Sequence, residues 1–380
     1  MNVEKSNNEK PPIKRIQNPS GEWEREAKGR LWNFLEPVIM MSALQLLMWG
    51  LWFPLELQGK DTTIAFILIG VLALYLLISP IIHKDTSSSW GLGSPRYILN
   101  KIRKGATKNR IIALVVVITL ITLTVLAINF LWIELVDNFL DIDPVQARQF
   151  QSSLPGTLLI ISIGGLVGFI FALFIIRYDN FLKALKVSLI VIAILGTLLF
   201  LYSLTVSSLT VLLNFDLLNF LLNFFAYIFW GALQQILFAS YFGTRFRKAF
   251  SPATRSNPEA KPKLWKKRLV VSMISGSYFG LIHVPAWYLL IFTTVLGVVI
   301  SWLYMKDSNR NLIAIGVIHG FLGSLIGVFF ASGAVEMTVG PSSVPSELVP
   351  NFWIVGIFLI IHQVIIVIIW YLVEFRKNKK

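Results

Sequence analysis

The sequence predicts an all-α protein, a polytopic membrane helix bundle of about ten transmembrane helices with both termini cytoplasmic. Three observations carry that prediction. The chain is 55% hydrophobic and only 14% charged over its 380 residues, whereas soluble domains are nearer a quarter charged. Its apolar runs reach the roughly 20 residues that a helix needs to cross a hydrocarbon core. Its basic residues fall almost entirely on one side of those runs.

Taken in order, the runs are 36–57, 62–82, 111–135, 154–176, 187–213, 217–243, 269–287, 288–305, 312–332 and 352–373. The first follows a polar, charged tail that lacks the short apolar core and small-residue cleavage site of a signal peptide. Between the second and third, residues 87–110 include an amphipathic stretch around Tyr97 to Lys104, suited to a membrane surface. Asn214, Asp216 and Asn219 leave only a short turn before run 217–243. Pro285 breaks the region 269–305, either into two spans or into one span and a re-entrant piece. The segment "SPATRSNPEAKPK" (Ser251 to Lys263) reads as a flexible basic loop.

Of the 34 lysines and arginines, all but Lys60 and Arg148 lie on one side of an even-span arrangement. Acidic residues such as Asp61, Asp137, Asp141, Asp143, Glu336 and Glu347 mark the opposite loops. Positive charge held back on the cytoplasmic side fixes the orientation. The net charge of +14 is thereby accounted for by topology. It is expected to face the lipid bilayer's anionic headgroups and not nucleic acid. The absence of cysteine excludes disulfides, thiolate metal sites and a cysteine nucleophile. There is no phosphate-binding glycine loop or ATPase motif. No cofactor is expected, and no metal: two histidines and amides fall short of the three or four ligands that zinc requires.

Ionisable and amide side chains at membrane depth are costly, so each is a candidate for function. The run "YIFWGALQQILFASYF" (Tyr227 to Phe242) carries Gln234 and Gln235 in its middle. With Asn223, Tyr227 and Tyr241, Gln234 forms a stripe at helical spacing that would line a polar cavity. An interhelical amide clasp is the competing reading, above all for Gln235. His283 shares a face with Ser272, Gly276 and Phe279, and Ser272, Gly276 and Gly280 form a row of small residues that admits a close neighbour. His319 sits among Gly316, Gly320, Gly323 and Gly327. A hydrogen bond to a neighbouring helix is the structural alternative for each histidine, and the favoured one for His362. His83, at a span end, is expected at the interface. Counting about 1.5 Å per residue from the basic ends, Gln234, His283 and His319 are expected to line one cavity open towards the cytoplasm.

The order of these elements resembles the CPBP family of intramembrane proteases, the CAAX-processing and bacteriocin-processing Abi group, which includes the type II CAAX prenyl endopeptidases. A polar pair (Gln234, Gln235) precedes a basic loop. Phe-x-x-x-His follows (Phe279, His283), then a span ending "WLYMKDSNRNL", then a histidine in a small-residue helix (His319). The resemblance covers roughly Leu217 to Ser332. It implies that Gln234, Gln235, His283 and His319 stand at catalytic positions, with Phe279, Tyr227, Tyr241 and Asn223 around a substrate cavity. The first motif of the family is Glu-Glu-x-x-x-Arg, where this chain has Gln234, Gln235 and Ala239. The asparagine that follows the last motif histidine by four residues is replaced by Gly323.

In the family the first glutamate is thought to activate water, and the last histidine and asparagine to stabilise the oxyanion. Gln234 has the shape of that glutamate but cannot accept a proton. The expectation is therefore a CAAX-protease-like pseudoenzyme, with glutamic endopeptidase activity lost or altered, that binds a membrane-embedded or lipid-modified peptide. One alternative is an active enzyme with a replacement base such as Glu36 or a histidine-activated water. Another is a transporter subunit. The expected organisation is a polar tail (1–30), an N-terminal transmembrane region (31–216), a CPBP-like core (217–332), and a last loop, helix and basic tail (333–380). The expected location is the cell membrane of a prokaryote.

Overall fold

The computed structural model describes residues 30–140, 143–206, 215–250, 264–284, 286–329 and 353–374. Most of the polar tail, the basic loop 251–263, Pro285 and the loop before the last helix lie outside the described residues.

Helices make up the fold, and no strand occurs among the described residues. The N-terminal half contains α1 (Arg30–Leu47), α2 (Phe53–Leu57), α3 (Thr63–Ile82), α4 (Pro95–Lys104), α5 (Thr107–Leu140), α6 (Pro144–Ser152), α7 (Leu154–Ile170) and α8 (Phe181–Val206). The C-terminal half contains α9 (Leu217–Gln235), α10 (Gly243–Phe250), α11 (Leu264–Leu281), α12 (Trp287–Tyr304), α13 (Leu312–Phe329) and α14 (Trp353–Glu374). A π-helical segment, Ile236–Phe242, joins α9 to α10. The amphipathic surface stretch forms α4, which begins with proline where a missing N–H costs nothing.

Among the described residues, eight helical stretches are long and apolar enough to cross a membrane: Leu31–Leu57, Thr63–Ile82, Arg110–Ile133, Leu154–Ile175, Phe181–Thr205, Trp287–Tyr304, Leu312–Phe329 and Val355–Val373. The protein is an integral, multi-pass membrane protein. The two remaining apolar runs of the sequence are helices α9 and α11. Three adjacent charges, Lys266, Lys267 and Arg268, keep α11 below that level of apolarity.

Small residues bring the helices of the C-terminal half together as the sequence pattern predicted. A Cβ on Gly276 would stand 2.4 Å from the backbone nitrogen of Val298, so α11 and α12 touch main chain to main chain. Gly316 and Gly320 do the same for α13 against Ile228 of α9, at 2.8 Å each. Without a hydrophobic driving force inside lipid, such close contact is what holds helices together. Gly327, by contrast, has open space beside it.

The basic end departs from the sequence-based expectation. Arg177, Arg245 and Arg310 are not spread towards headgroups but are 1%, 0% and 3% exposed. Arg177 pairs with Asp179 and Asp307 at 3.1 Å each, and donates to the carbonyls of Ser88 and Arg310. Arg245 pairs with Asp85 at 2.7 Å and approaches Glu36 at 3.7 Å. A guanidinium offers five donors in a fixed fork, so one arginine can tie several segments together. His83 is also drawn inside, against Glu36, with its side chain 6% exposed.

Candidate functional site

Two helix pairs build the site. α9 lies along α13, and α11 folds back on α12 as a hairpin. Between them is a cavity of about 600 Å³ lined by Gln234, Phe279, His283 and His319, among others. Tyr227 and Gly323 stand further along its wall, and Leu44 of α1 and Met48 just beyond it close one side. Among the described residues that line it there is no Asp, Glu, Lys or Arg.

His283 lies just beyond the last turn of α11. Its backbone N–H goes to the carbonyl of Gly280 at 2.9 Å, which leaves the carbonyl of Phe279 without its usual helical donor. The imidazole supplies one: His283 Nδ1 meets Phe279 O at 3.0 Å. Nδ1 also meets the hydroxyl of Thr293 on α12 at 3.1 Å. His319 is packed beneath Gly231, where a Cβ would come within 2.7 Å of the ring. Gln235 Nε2 lies 3.4 Å from His319 Nδ1. The Phe279 ring stands 5.5 Å from each imidazole, edge-on to His283 and tilted against His319.

Of the residues singled out in the sequence, Gln234, His283, His319, Phe279 and Tyr227 share this cavity. Gln235 is buried behind His319. Asn223 and Tyr241 are not among the lining residues. For Tyr241 the reason is the π segment: each wide turn takes in an extra residue and rotates the succeeding side chains off the α-helical stripe. Tyr241 consequently donates to Glu36 at 3.1 Å. Glu36 itself accepts from Ser79 at 2.8 Å and contacts His83. Those partners, and not His283, occupy the carboxylate that was considered as a replacement base. His362 makes a bond to Ser277 at 3.0 Å, the structural role favoured for it. Thr293 carries no signal in the sequence. It is one of two adjacent threonines in an apolar span, and nothing in its spacing marks it as a partner of His283.

The cavity does not open at the basic end, as the residue counting suggested. That end is shut by Phe238, Ala239, Tyr241 and Phe242, all 3% exposed or less. The exposed wall residues are Tyr227, Trp230 and Leu233 on the flank of α9, where lipid would lie, and Gly327 on α13.

A helical membrane bundle whose cavity, among the described residues, holds two histidines and no charged side chain is the class that fold and site define. Residues 215–325 match the model of the family described as type II CAAX prenyl endopeptidase Rce1-like. The match bears out the resemblance read from the order of the motifs and spans both histidines and the glutamine pair. No curated protein and no solved structure matches the chain.

Proposed function

We propose that this CAAX-protease-like intramembrane protein is a pseudoenzyme that has lost glutamic endopeptidase chemistry and holds a membrane-embedded or lipid-modified peptide in its cavity. One observation carries this reading. The family's glutamate position is Gln234, and no other described carboxylate lines the cavity to replace it. A primary amide donates and accepts hydrogen bonds but takes no proton at neutral pH, so the water-activating role has no occupant. The flank opening supports a ligand that arrives from the bilayer. The one-sided basic residues support insertion with the termini inside, and the cell membrane of a prokaryote is the proposed site.

The test is twofold. Purified full-length protein in liposomes is offered a prenylated CAAX peptide, and both cleavage and photo-crosslinking are followed. Crosslinking to α9 or α13 without cleavage is the expected result. Cleavage that vanishes in His283→Ala would overturn the loss of activity. Absence of any crosslink would overturn the binding role.

A further inference from the structure

Resting on the binding role just proposed, we infer that the two cavity histidines hold opposite tautomers, set by Thr293 and Gln235, and together recognise a secondary amide of the peptide backbone. A neutral imidazole has one N–H and one lone pair, and the bond made by one nitrogen decides what the other presents.

For His283 the partners leave one solution. Phe279 O, at 3.0 Å from Nδ1, is a carbonyl and can only accept. The Thr293 hydroxyl gives its hydrogen to Leu289 O at 2.6 Å, so it turns a lone pair to Nδ1 at 3.1 Å. Nδ1 therefore carries the proton, and Nε2 is left as an acceptor. For His319 the order reverses. The Gln235 amide nitrogen donates to Nδ1 at 3.4 Å, so Nδ1 is the acceptor and Nε2 carries the hydrogen. Among the described residues neither Nε2 has a protein partner, and neither is buried without one, so both are accessible from the cavity.

The cavity then offers one acceptor, His283 Nε2, and one donor, His319 Nε2–H, in walls without a charged side chain among the described residues. A peptide bond presents the complement, an N–H and a C=O on its two opposite edges, and carries no charge to strand. A free carboxylate lacks the donor and would find no cation. Thr293 is on this account a positioning residue, acting through His283.

The experiment is nitrogen NMR on the full chain with ¹⁵N-labelled histidine, in liposomes, where protonated and bare ring nitrogens resonate apart. Signals are assigned with His283→Asn and His319→Asn. Should either variant fail to fold, transfer from labelled threonine and glutamine side chains assigns the wild type. The expected pattern is Nδ1–H for His283 and Nε2–H for His319. Thr293→Val is expected to populate the second tautomer of His283, and Thr293→Ser to restore the first. An Nδ1–H on His319 would mean that the Gln235 amide is turned round, and the same tautomer on both rings overturns the inference. Ligand choice is read with a hydrophobic peptide and its depsipeptide analogue, in which an ester replaces the amide N–H. The peptide is expected to crosslink with about tenfold higher affinity, the worth of one hydrogen bond. Equal affinity overturns amide recognition while leaving the binding role intact. Failure of both probes sinks the binding role and this inference with it.

Discussion

Gln235 and His319 meet inside the bundle, Nε2 to Nδ1 at 3.4 Å, although 84 residues separate them in the chain. Gln235 holds the second position of a motif that is acidic in the resembled family. Here a neutral amide orients a neutral ring, and neither leaves a charge in the membrane. The replacement of both acids, together with the arginine position now Ala239, is self-consistent. Removing only one member of a buried ion pair costs roughly 3–5 kcal/mol.

Repair of the site is expected to need two substitutions. Gln234→Glu restores a carboxylate to the cavity, and Gly323→Asn restores a side-chain donor. Loss of a general base typically lowers rates by about 10²–10⁴-fold and of an oxyanion donor by about 10²–10³-fold. Peptide cleavage is therefore expected only in the double variant and is expected to disappear when His283→Ala is added. A Cβ at Gly323 would meet only the Tyr227 ring, at 3.2 Å, and that side chain stands at the exposed rim where it can yield. Extending the repair to Ala239→Arg is expected to fail, because Ala239 is fully buried among aromatic rings. If the double variant is stable and inert, the assignment of these two roles is wrong.

The glycine rows differ in what they tolerate. Gly276→Ala and Gly320→Ala push a methyl group into backbone atoms of the opposing helix and are expected to lower stability by roughly 1–3 kcal/mol. Gly327→Ala meets nothing within 4 Å and is expected to be near neutral. Thermal unfolding in one detergent compares the three. Equal losses at all of them would show that close contact does not set the effect, since helix propensity alone favours alanine over glycine.

Gly231→Ala is expected to disturb the site without replacing any polar side chain. The new methyl would stand 2.7 Å from the His319 ring, which must tilt away from Gln235. The His319 ring signals are expected to move while those of His283 stay, a comparison that global unfolding would not produce.

The buried cluster at the basic end sets a pH dependence. Burial alone would raise the Asp85 carboxyl, but Arg245 and Lys248 overcome it and hold its pKa below the usual aspartate value. A depressed folded-state pKa adds stability that is present above the unfolded value of about 3.9 and is lost as pH falls through the folded one. Unfolding midpoints are accordingly expected to be flat above about pH 5 and to fall below about pH 4. Arg245→Met leaves Asp85 and Glu36 short of their shared cation and is expected to cost roughly 3–5 kcal/mol. A midpoint unchanged in Arg245→Met would remove the cluster from the account of stability.

The chain by itself determined the helical class, the side on which its basic residues collect, the close-packed glycine rows and the order of the polar motifs. These are local or additive properties: a run of apolar residues, a count of charges, a spacing of three or four. Tertiary structure decided the rest. It took Arg177, Arg245 and His83 from expected headgroup contacts into buried clusters, because each found carboxylates or carbonyls on segments far away in sequence. It removed Tyr241 from the cavity through a π segment that no residue pattern announces. It brought Thr293 to His283 through the register of a hairpin, and it closed the basic end with aromatic rings, so that the cavity opens on the flank. Spacing along one helix reports which residues share a face, but the partner of that face, and therefore the tautomer of a histidine on it, is fixed only when a second helix docks.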